Sequence, residues 1–110
     1  MILIRMRQEE EGAELEAYGH AEHGAIGHDI VCAGVSALLY SLAAYLEERA
    51  TACPTGQFDR TESEGRLYLK ADGLGVEKTA FAVIAAGLCL IAEAFPEAVC
   101  FLPQENTQHS

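Results

Sequence analysis

The chain has 110 residues, of which 50% are hydrophobic and 22% charged. That suits one folded domain with its own core and argues against a disordered segment. A formal net charge of -10 disfavours nucleic acid and anionic membrane as partners and favours a basic one, although acidity also simply keeps a protein soluble.

Met1 to Arg7 alternates, with Ile2, Ile4 and Met6 on one face, which predicts a first strand. Gln8 to Gly12 is polar, ends in glycine and suits a hairpin turn. Ala13 to His20 alternates again, with Ala13, Leu15 and Ala17 opposite Glu14, Glu16, Tyr18 and His20; it reads as a half-buried strand with His20 on its polar face. Residues 21–28 carry Gly24 and Gly27 and little periodicity, as a mobile loop would. Asp29 reads as the N-cap of a helix reaching about Ala50, whose apolar positions include Val31, Val35, Leu38, Leu42 and Leu46.

Thr51 to Gly56 is a connection, Gln57 to Thr61 a weak strand, Ser63 to Gly65 a turn, and Arg66 to Ala71 a clear strand. A second helix is expected from Val76 to Phe95, with Pro96 as its stop. Its stretch Ala80 to Ala92 is apolar nearly all round, so it needs cover on more than one side; in so small a domain this predicts a homodimer. Ala98 to Leu102 is a short last strand, and 103–110 a polar tail beyond a single domain of 1–102. The order β-β-α-β-β-α-β predicts an α+β fold, a mainly antiparallel sheet with two helices on one face.

Cys32, Cys53, Cys89 and Cys100 form no CxxC or finger spacing. Residues 1–20 lack a basic region followed by an apolar run, and the longest apolar run, Ala80 to Ala92, is too short for a bilayer. A cytoplasmic protein with reduced thiols, not in a membrane, is the expectation.

The chemistry concentrates between residues 18 and 38. Counted from an Asp29 cap, Cys32 is the third residue of the helix, where free amides and aligned peptide dipoles favour an anion. A thiol so placed is expected to ionise more readily. The same amides can bind an oxyanion forming on a carbonyl, worth about 3 kcal/mol per well-placed donor. His20, at the neighbouring strand end, can serve as base and then acid. Against this, a cysteine on an apolar helix face is more often a small buried hydrophobe. Asp29 caps the helix or orients His20; Ser36, one turn after Cys32, contacts substrate or back-bonds to the Cys32 carbonyl. Gly24 and Gly27 let the loop close over a site or simply make turns. His20, His23, His28 and Cys32 are possible zinc ligands, but their spacing matches no standard metal signature, and no metal or other cofactor is expected.

Gly19-His20-Ala21, then Gly27-His28-Asp29-Ile30-Val31-Cys32-Ala33, then Val35-Ser36-Ala37-Leu38 resembles the ribosomal-processing cysteine protease family, Prp. The resemblance implies a small α/β homodimer of the bacterial cytoplasm that removes an N-terminal extension from a large-subunit ribosomal protein. It implies that His20 and Cys32 are the catalytic pair, that Asp29 and Ser36 support the site, and that the loop with Gly24 and Gly27 moves over the bound peptide. A basic ribosomal protein precursor as substrate agrees with the charge of -10. The competing expectations are a non-catalytic acidic binding module for a ribosomal protein or assembly intermediate, and a zinc-binding structural module.

Overall fold

The computed structural model describes residues 1–10, 12–19, 28–52, 57–72 and 75–102, with the side chains of His28, Asp29 and Gln57 left out of the description. The elements are β1 (Ile2–Glu9), β2 (Gly12–Gly19), α1 (His28–Ala52), β3 (Gln57–Ser63), β4 (Arg66–Asp72), α2 (Val76–Ala94) and β5 (Val99–Phe101). The five strands form one sheet in the order β3-β4-β2-β1-β5. All neighbours are antiparallel except β1 and β5, which run parallel.

The sheet's register follows from its alternation. Ile4 pairs with Ala17 and Ala17 with Leu67; Met6 pairs with Leu15 and Leu15 with Leu69. Because side chains alternate with period two, all of these fall on one face. That face is the core, where Ile4, Leu15 and Leu69 are fully buried with Val31, Leu42 and Leu46 of α1 and Phe81 and Leu88 of α2. Both helices therefore cover the same face, as expected. Each large buried side chain contributes about 1.5–3 kcal/mol. The other face carries Arg7, Glu14, Glu16, Arg66 and Tyr68, tied by a Tyr68 hydroxyl that donates to Glu14 at 2.6 Å and an Arg7–Glu14 ion pair at 2.6 Å.

Two expectations need correction. The first hairpin turn is tighter than the polar run suggests, since Glu9 already pairs with Gly12. The segment Ile30–Ala52 is long and apolar enough to cross a membrane by length and composition alone, which a search for unbroken apolar runs does not detect. Its inner stripe of Val31, Val35, Leu39, Leu42 and Leu46 is spent on the sheet, as in the core helix of a globular domain. As its apolar run led one to expect, α2 is not fully covered within this chain. Phe81 and Leu88 are buried, but Val83 is 64% and Leu90 68% exposed, and Cys89 is exposed as well. The connection at residues 53–56, which includes Cys53, and the tail at 103–110 lie outside the described residues.

Candidate active site

One end of the sheet gathers the start of β1, the ends of β2 and β3, and the start of β4. Ile2 pairs with Gly19, Tyr18 with Arg66, and Ser63 with Arg66. The Gly19 amide donates to the Gly65 carbonyl at 2.8 Å, holding the end of β2 to the β3–β4 turn. The first half of α1 lies over this end and leaves a cavity of about 250 Å³. From α1 the wall is Cys32, Val35, Ser36, Leu39 and Tyr40; from the strands it includes Gly19, Glu62, Arg66 and Leu67.

Cys32 is half-buried, unoxidised and packed against the core by one side. Ser36 follows it by one helical turn on the same wall and is exposed. The structure thus brings together two of the residues singled out from the sequence. α1 begins at His28, so Asp29 stands within the first turn rather than before it. A helix started two residues earlier than an Asp29 cap implies also changes the expected oxyanion donors. In an i→i−4 register the Cys32 amide is paired with the His28 carbonyl, and the free amides are those of the first turn. The Asp29 side chain, His20, His23, Gly24 and Gly27 lie outside the described residues, as does the His28 side chain. β2 ends at Gly19, one residue before His20, and Gly19 lines the cavity with Cys32. Among the described residues no cluster of three or more His, Cys, Asp or Glu could hold a metal ion.

Two wall residues were not singled out from sequence, Tyr40 and Glu62. The Tyr40 hydroxyl donates to the Glu62 carboxylate across the cavity. Arg60 donates to Glu62 at 2.9 Å, and its guanidinium stands 5.6 Å from the centre of the Tyr40 ring. The hydroxyl bond from Tyr40, followed by that from Arg60, holds the Glu62 carboxyl below its ordinary pKa, and the same bond to Glu62 raises that of Tyr40. Tyr40 was within reach of sequence reasoning, because Cys32, Ser36 and Tyr40 continue one spacing of four. Glu62 was not, because strand register brings it there.

A family model for cysteine protease Prp matches residues 1–99. A ribosomal processing cysteine protease Prp from Staphylococcus aureus is 48% identical over 42 residues, which are 36% of this chain and 40% of that protein. The chain thus spans less than half the length of this curated relative. Whole-chain likeness comes from solved structures. The crystal structure of an essential ribosomal processing protease Prp from S. aureus, in complex with a covalently linked product peptide, superposes with a TM-score of 0.71 at 25% identity, covering 92% of this chain and 97% of that one. The protein SMU.848 from Streptococcus mutans superposes with a TM-score of 0.64 at 26% identity, covering 94% of each chain. With the family's pattern running through nine-tenths of its length and a free thiol in the wall of its end cavity, the chain belongs to the cysteine protease Prp family.

Proposed function

We propose that this chain is a cysteine endopeptidase that removes the N-terminal extension of a bacterial large-subunit ribosomal protein. The observation that carries this reading is the placement of Cys32, a free thiol in the wall of a cavity between a helix and four strand ends. Its support from kinship is the S. aureus relative, solved with a covalently linked product peptide.

In this mechanism His20 takes the Cys32 proton as the sulfur attacks the scissile carbonyl carbon. The oxyanion of the tetrahedral intermediate accepts hydrogen bonds from free amides in the first turn of α1. As the C–N bond breaks, His20 returns the proton to the leaving amine and an acyl-thioester remains. A water, deprotonated by His20, attacks the thioester; the acid product leaves and the thiol is restored. Asp29 and Ser36 orient the pair or the peptide, and the loop with Gly24 and Gly27 closes over the bound segment. The chemistry needs no metal or other cofactor. The chain acts in the cytoplasm, where its negative charge draws a basic precursor. Its α2 face, with Val83 and Leu90 exposed, packs against a second copy in a homodimer.

The test is to incubate the protein with the extended ribosomal protein of its encoding organism and to weigh the products. Loss of a mass equal to the extension is the expected result, and Cys32→Ala and His20→Ala each abolish it, with a fall of at least about a thousandfold. Full cleavage by Cys32→Ala would remove the cysteine from the mechanism. Association without any change of mass would turn the reading toward a binding module.

A further inference from the structure

The cavity has a definite end along α1. Its α1 wall runs from Cys32 to Tyr40 and includes nothing beyond Tyr40. At that end the two walls are joined, because Tyr40 from the helix and Glu62 from the edge strand β3 are hydrogen-bonded to each other. Arg60 braces the junction by bonding Glu62 and standing over the Tyr40 ring, and it also lies 3.9 Å from Glu47 one strand-to-helix step further on. β3 is held in the sheet from one side only, so this cluster is what ties its end to the helix.

We propose that the Tyr40–Glu62 contact is the end wall of the peptide groove, and that these two side chains set how many substrate residues are read on one side of the scissile bond. The proposal rests on the endopeptidase reading above. From Cys32 to Tyr40 is eight helical residues, a rise of about 12 Å. An extended peptide advances about 3.3 Å per residue, so the groove holds three to four residues between the reacting sulfur and the wall. A longer segment leaves the groove over the clasp and gains no further contact. The length of the groove is thereby written in two residues that take no part in the chemistry.

The experiment uses synthetic peptides spanning the precursor's cleavage junction, lengthened one residue at a time on either side, with kcat and KM measured for the full chain. In the wild type, kcat/KM rises up to the third or fourth residue on one side and is then flat. In Glu62→Ala, and in Tyr40→Phe, which keeps the ring but not the bond, the rise continues for one or two further residues by about threefold each, through KM with kcat unchanged. A wild-type profile that climbs past the fourth residue on both sides overturns the proposal, as does a plateau that neither substitution moves. Cleavage with no dependence on length overturns this inference and leaves the endopeptidase reading standing. No cleavage of any peptide overturns both.

Discussion

Among the described residues α1 borders two concavities that differ in kind. The one between α1 and the strand ends has about 250 Å³ and brings together a thiol, a serine, a tyrosine and a carboxylate. The one between α1 and the start of α2 has about 610 Å³ and is lined by Leu42, Val76, Ala80, Val83 and Ile84, with hydroxyl-bearing Ser41, Tyr45 and Thr79. The larger holds no acid, base or thiol among its lining residues. Volume and apolar lining favour it as a ligand site, but convergent reactive groups favour the smaller. The small cavity gathers groups capable of chemistry, whereas the large one is an uncovered piece of helix-packing surface.

A pair of glycines gives the sharpest way to break this contrast. Both have positive φ, Gly19 at 96° in the small cavity, which also holds Gly65 at 75°, and Gly75 at 72° in the large one. Such angles cost a residue with a Cβ about 1–3 kcal/mol. At Gly19 the new Cβ would also lie 2.3 Å from the Met1 carbonyl oxygen, whereas at Gly75 nothing stands within 4 Å. Gly19→Ala is therefore expected to lower the melting temperature by roughly 10 °C or more and, by pushing β1 from β2 at the cavity, to reduce turnover as well. Gly75→Ala should cost only the backbone term, roughly 5 °C, with activity kept. Thermal unfolding and peptide turnover of the two variants check this; equal effects would mean that the strand-end cavity is no more tightly built than the other.

A smaller effect on folding, but a clear one on association, is expected at the open groove. Val83 is 64% exposed, so Val83→Glu should change the stability of a single subunit by no more than about 0.5 kcal/mol. With a second copy covering that face, a buried unpaired charge would split the pair. Sedimentation velocity should then show a dimer for the wild type and a monomer for the variant. A variant that stays dimeric would move the interface elsewhere.

The contrast between the cavities also marks what could be read in advance. The strands, the helices and their covering of a single face were legible because Ile2, Ile4 and Met6 keep a period of two and Val31, Val35, Leu42 and Leu46 keep that of a helix. Cys32 and Ser36 were legible as neighbours through one turn of helix, and the wall they share is where the structure puts them. The uneven fate of α2 was only half legible. Its uniform apolar run signals a need for cover, but periodicity cannot say that Phe81 and Leu88 turn inward while Val83 and Leu90 remain outside. Glu62 had no local signal, since its role depends on β3 pairing with β4 in a register that brings Ser63 opposite Arg66. The start of α1 was misplaced by two residues because aspartate is favoured both as a cap and in the first turn.

The least effect on turnover and association belongs outside both cavities, on the uncovered face of the sheet, and it serves as their control. There burial pushes the Glu14 carboxyl upward, but the Tyr68 hydroxyl and the Arg7 charge outweigh it and leave its pKa below the ordinary value. Burial first and the bond to Glu14 second push Tyr68 up to about 12. A carboxyl whose pKa is lower folded than unfolded adds stability above its unfolded value and loses it as pH falls through the folded one. Wild-type stability should therefore decline as the medium is taken below about pH 4.5, with Glu14 contributing to the slope. Tyr68→Phe removes the hydroxyl bond, so it should cost about 1 kcal/mol near neutrality and less in acid, as Glu14 takes up its proton. Urea unfolding at pH 7 and at pH 3.5 measures the two differences. A penalty that is the same at both values would show that the hydroxyl bond does not depend on the carboxylate's charge, and the lowered pKa of Glu14 would then have to be ascribed to Arg7.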